Sequence, residues 1–212
     1  MRVDLQSFLD RFAGVLRLDQ GTFAGIKRDD EAANGQAVAI VALTGLLAGI
    51  GVAAAVAQVA RQPLPADPAS AAVVEFYASF ASPGQLIGVV VFWTLLSIVS
   101  WVAFAALARW LGRTLFGADP DAASPAQMRN LVAWGYAPGL LNVLAILPLV
   151  GGPISIVVAI WGLVTQVIGV RTALDISTGR AVGLVFVTVI VLGLLIACPL
   201  LVIMTAVFGA AG

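Results

Sequence analysis

Apolar and polar positions fall in long blocks along this chain. Residues 36–59, 85–108, 131–150, 153–170 and 181–208 are almost wholly apolar. Each is close to the roughly 20 residues a helix needs to cross a hydrocarbon core. Ahead of them, residues 3–18 place Leu5, Phe8, Leu9, Phe12, Val15 and Leu16 at helical spacing, with Asp4, Asp10, Arg11 and Arg17 mostly opposite. That one-sided pattern predicts an amphipathic helix too polar to span, lying flat on the cytoplasmic membrane surface. The alternative is a helix packed on the protein's own cytoplasmic face. The expectation is therefore an all-α membrane protein: a cytoplasmic amphipathic segment, 1–35, then a five-span bundle, 36–208.

The polar blocks refine this outline. Gly21–Ile26 leads into Lys27-Arg28-Asp29-Asp30-Glu31, which reads as a solvated collar before the first span. The loop 60–83 contains Val73, Val74, Phe76, Tyr77 and Phe80, a short interfacial helix ended by Pro83-Gly84. Ser124 before Pro125 is placed to cap the start of the third span.

Composition sharpens the class. Hydrophobic residues make up 61% and charged residues 10%, where a soluble domain carries about a quarter charged. Net charge is zero, so no basic stripe is left over for nucleic acid. There is no histidine, and the one cysteine, Cys198, lies in an apolar run. A disulfide, a zinc site or a histidine base cannot be built within one such chain, and no cofactor is implied. The start is not a cleavable signal by pattern, because Asp4, Asp10 and Arg11 interrupt any apolar core.

Charge also orients the spans. Arg2, Arg11, Arg17, Lys27 and Arg28 precede the first span; Arg109, Arg113 and Arg129 follow the second; Arg171 and Arg180 follow the fourth. The other side has Arg61 alone. By the positive-inside rule the N-terminus is cytoplasmic and the C-terminus, Gly209–Gly212, is outside.

Two features suggest how the spans pack. Gly45 and Gly49 form a GxxxG pair, which lets helix backbones approach closely; internal packing is the first reading and a dimer face the second. The third and fourth spans meet at a tight corner, Gly151-Gly152-Pro153, and so run antiparallel. Pro138 leaves the Trp134 carbonyl without its helical donor, and Pro148 does the same to Leu144. Counting equal helical rises from the corner pairs Gln166 with residue 137 and Asn142 with Trp161. Gln166 is then expected to bond Tyr136 or the Trp134 carbonyl, locking the hairpin. The competing reading has Tyr136, Asn142 and Gln166 lining a polar cavity. Arg171, Asp175 and Arg180 are candidates for a lipid phosphate, against a plain Arg171–Asp175 pair four residues apart.

The motifs together resemble the Yip family, the Ypt/Rab-interacting membrane proteins, in its bacterial branch. The matching pieces are Gly135-Tyr136-Ala137-Pro138, the Gly151–Pro153 corner, and Gly169-Val170-Arg171 leading to Ser177-Thr178-Gly179-Arg180-Ala181. Phe23-Ala24-Gly25-Ile26, Asp30 and Gln36-Ala37 are similar to bacterial members. The resemblance implies a membrane helix bundle and, for eukaryotic members, roles in vesicle traffic and Rab GTPase binding. The chain lacks the Asp-Leu-Tyr-Gly-Pro segment and the extended N-terminal region of those members, so the Rab role does not carry over. The expectation is a bacterial inner-membrane protein, not an enzyme, working through helix packing with lipids, other membrane proteins or itself. A small-solute channel or transporter is the alternative, weakened because no Asp, Glu, Lys or Arg lies within a span.

Overall fold

Several helices begin where short side chains cap them. In the computed structural model, Asp19 accepts from the Gly21 and Thr22 N–H groups and starts α2, Gln20–Arg28. Asp67 accepts from Ser70 N–H ahead of Pro68 and starts α4, Pro68–Ala78. Ser124 and Gln127 exchange two hydrogen bonds, of 3.1 and 2.9 Å, and start α6, Pro125–Trp134. Such reciprocal caps satisfy donors that the first helical turn cannot use. The structure describes residues 5–146 and 151–209, with side chains outside 30–32, 145–146 and 199–209.

The remaining elements are α1, Leu5–Leu16; α3, Asp30–Val59; α5, Pro83–Thr114; a 3₁₀ segment, Ala137–Ile146; α7, Gly151–Leu174; and α8, Thr178–Gly209. No strand occurs among the described residues. Four helical stretches are long and apolar enough to cross a membrane: Ala33–Val59, Pro83–Thr114, Gly151–Leu174 and Thr178–Cys198. This is an all-α, multi-pass membrane protein. The third predicted span, 131–150, is not a single α-helix: it is α-helical to Trp134 and 3₁₀ from Ala137. Gly151, Gly152 and Pro153 form the first turn of α7, while Pro148 and the rest of the link, 147–150, lie outside the described residues. So does most of the C-terminal tail.

The N-terminal segment differs most from expectation. Leu18, at φ 58°, closes α1, and Gly21–Ile26 lies within α2. Phe23 and Ile26 of α2 are fully buried. α1 packs on the protein through Val15 and through Phe8, whose ring lies 5.6 Å from that of Trp134. Leu5 and Leu9 face outward. Part of the charged collar is tied down, with Arg11 bonded to Gln36 and to Asp29, and Lys27 2.7 Å from Asp175. A helix with one apolar face buries it on whatever apolar surface is nearest. Here the ends of α6 and the 3₁₀ segment supply that surface.

Candidate functional site

The centre of the molecule is set by how α6 ends. The Tyr136 N–H donates to Ala133 O at 2.9 Å and the Gly139 N–H to Tyr136 O at 2.8 Å. Both bonds skip three residues, the 3₁₀ pattern, where an α-helix would skip four. The change moves the effect of Pro138. In 3₁₀ bonding the donor for Trp134 O is residue 137, and the missing proline N–H falls on Gly135 O instead. Gly139, which could have served that carbonyl in an α-helix, is already committed to Tyr136.

α7 supplies the replacements. Thr165 Oγ1 lies 2.9 Å from Gly135 O, and the Gln166 Nε2 donates to Val132 O at 3.0 Å. Val132 O has lost Tyr136 as its α-helical donor and shares Gly135 N–H, at 3.1 Å, as its 3₁₀ one. The Thr165 hydroxyl is also near Trp161 O and Gly162 O of its own helix. Those carbonyls have ladder donors within α7, whereas Gly135 O does not, so the single hydroxyl proton does most for Gly135.

Two glycines make this approach possible. A Cβ at Gly135 would run into the Gln166 carboxamide, and one at Gly169 would sit 2.8 Å from Leu131 O. The Gly-Tyr-x-Pro motif thus joins two requirements: a slot for Gln166 and a proline that frees a carbonyl for Thr165.

Beyond this contact the bundle opens into a cavity of about 420 Å³. Thr44, Tyr136, Asn142 and Gln166 line it, and Val158, Leu163, Val185, Val189, Leu192 and Ile196 form apolar walls. Neither Thr44 Oγ1 nor Gln166 Oε1 has a hydrogen-bond partner, although both atoms are buried. A second, more apolar cleft of about 530 Å³, with Phe92, Trp93 and Leu96 in its wall, shares Tyr136 and Ile196 with the first. No charged side chain lines either space. Among the described residues no group of three or more His, Cys, Asp or Glu could hold a metal.

The predicted site residues divide accordingly. Tyr136, Asn142 and Gln166 do line one cavity, beside Pro138, but Gln166 bonds the Val132 carbonyl instead of Tyr136 or Trp134. The Asn142–Trp161 pair is not formed: Trp161 Nε1 is buried without an acceptor. The count behind it assumed two α-helical arms of equal rise. It also centred the turn on Gly151–Pro153, but those residues are the first turn of α7, so the turn lies earlier in the chain and the register moves with it. Leu131 in fact faces Gly169 and Gly135 faces Thr165, three residues away from the counted register.

Asp175 pairs with Lys27 rather than Arg171, because it lies past the end of α7 at φ 51°, off the face that would align it with Arg171. Asp175 and Arg180 share a polar cleft with Asp119 and Asp121; Arg171 is not in its wall. Gly45 and Gly49 both lie against α5: a Cβ at Gly45 would be 2.8 Å from the Ser97 side chain, and one at Gly49 2.9 Å from the Val90 backbone. Thr165 escaped the sequence reading. Its position beside Gln166 in an apolar run was the available signal.

The family model of the Yip1 domain matches residues 13–207. No curated protein and no solved structure matches the chain.

Proposed function

We propose, from the premise that the chain belongs to the Yip1-domain family, that it is a non-catalytic membrane-organising protein that holds lipid within its bundle. The supporting observation is the central cavity, whose walls are apolar side chains with a few neutral polar groups and no charge. An acyl chain or a neutral lipid group meets such walls without desolvating a charge. We place the protein in a bacterial inner membrane, where the same packing surfaces would serve contacts with other membrane proteins or a second copy.

We read the bundle as five spans with the N-terminus inside. α6 and the 3₁₀ segment, at ten residues each, have a contour of about 35 Å, enough for one crossing. A reporter active only outside the cytoplasm should work after Gly212 and fail at Gly117. Activity at Gly117, or silence at both, would overturn this topology.

A second reading is favoured by one observation: Tyr136, Asn142 and Gln166 share the cavity with two unpartnered oxygens. Under it a small uncharged solute passes through. Purification in mild detergent followed by lipid identification separates the two. The lipid reading expects stoichiometric lipid that is lost when Gly193 is replaced by Phe to fill the cavity. Lipid-free protein that admits an uncharged solute into vesicles would support transport instead.

A further inference from the structure

We propose that a crevice between α5 and α6, separate from the central cavity, binds the phosphate of an anionic phospholipid. Its volume is about 170 Å³, and it is lined by Val102, Ala105, Ala106 and Arg109 of α5 and by Pro125 and Arg129 of α6. Two cations thus reach one space from two helices. Arg109 Nε donates to Ala123 O at 3.1 Å, which fixes the guanidinium while leaving its terminal nitrogens for a ligand. Arg113, one turn further on, has a buried Nε with no partner. The ion pairs found among the described residues, Arg11–Asp29 and Lys27–Asp175, involve none of these three arginines. Arg109 feels the like charge of Arg113 and, more weakly, the opposite charge of Asp121.

The crevice is also graded along its length. Val102 and Ala106 are exposed on the outer surface of the bundle, and Arg109 lies two turns beyond Val102. Trp110, 59% exposed, stands beside Arg109. Exposed tryptophan next to arginine is the side-chain signature of headgroup depth. An acyl chain along Val102 and Ala106 therefore puts its phosphate beside Arg109 and Arg129. Guanidinium forks suit phosphate oxygens in geometry as well as charge. The uncompensated positive charge selects an anionic headgroup over a zwitterionic one, and the apolar wall selects a lipid over free phosphate.

The full chain in mild detergent, titrated with phosphatidylglycerol or phosphatidylcholine of identical acyl chains and read by native mass spectrometry, tests this. Phosphatidylglycerol should be retained about tenfold better, the equivalent of one charge-assisted contact. Arg129→Gln should remove most of that preference while leaving phosphatidylcholine unchanged; Arg61→Gln, in the outer loop, should change neither. Arg109→Lys, which keeps the charge but not the fork, should fall between wild type and Arg129→Gln. Equal retention of the two lipids by wild type, which needs no variant to fold, would overturn the proposal. So would full preference in a folded Arg129→Gln protein. Displacement of the lipid by millimolar inorganic phosphate would leave only a phosphate site and sink the lipid assignment.

Discussion

Two helix contacts in this bundle achieve close approach by different means. Where α3 meets α5, both helices keep their own backbone bonds, and Gly45 and Gly49 simply remove the side chains that would hold them apart. Where α6 and the 3₁₀ segment meet α7, glycine again provides space at Gly135 and Gly169, but hydrogen bonds are added from Thr165 and Gln166. The difference follows from the backbone. An intact helix satisfies every interior carbonyl and needs only packing in lipid. A helix that changes from α to 3₁₀ bonding at a proline leaves carbonyls bare, and a neighbour must serve them. At this contact the polar side chains Thr165 and Gln166 serve a broken ladder.

The strongest challenge to this comparison is to fill both contacts. Gly49→Val and Gly169→Val each drive a side chain into backbone, Val90 in one case and Leu131 O in the other. Each should lower unfolding free energy in detergent by about 3 kcal/mol, at the upper end for overpacking. Gly135→Ala should cost less than Gly169→Ala, because it meets the flexible Gln166 carboxamide instead of a fixed carbonyl. Equal costs would mean that side-chain yielding plays no part.

Thr165→Val sharpens the contrast by removing a hydroxyl at nearly constant shape. It leaves Gly135 O without its donor, at a cost of about 1.5 kcal/mol, near the largest measured for membrane hydrogen bonds. The equivalent exchange on the other contact, Thr94→Val, should cost less. Thr94 Oγ1 bonds Val90 O of its own helix at 2.8 Å, a carbonyl already within an intact ladder. If Thr94→Val proved the more damaging of the two in a thermal denaturation series, the broken-ladder account would fail.

Gln166→Leu is the mildest change. Val132 O keeps the Gly135 N–H at 3.1 Å, so the loss should be about 0.6 kcal/mol, the average for such bonds. Thr165 and Gln166 serve different carbonyls of one deformed turn. Their double variant should depart from additivity by about 0.5 kcal/mol or more, as neighbours in one network do. Strict additivity would show that the two repairs act independently.

Membrane character, the all-α class and family membership were legible in the chain alone, because hydropathy and motif order belong to the residues themselves. The Ser124 cap was legible for the same reason: it closes within four residues. The Gly-Tyr-x-Pro stretch could be singled out, as could the gathering of Tyr136, Asn142 and Gln166, but not what each would touch. That depended on whether the backbone after Trp134 stayed α-helical. Pro138 removes one donor in either case, yet the carbonyl it strands is Trp134 in an α-helix and Gly135 in a 3₁₀ segment. Local residues do not choose between them; the presence of Thr165 and Gln166 on a packed neighbour does. The same dependence hid the Lys27–Asp175 pair, 148 positions apart, and the meeting of Arg109 with Arg129. Partners brought together by packing have no mark in sequence spacing, and only the tertiary structure decides them.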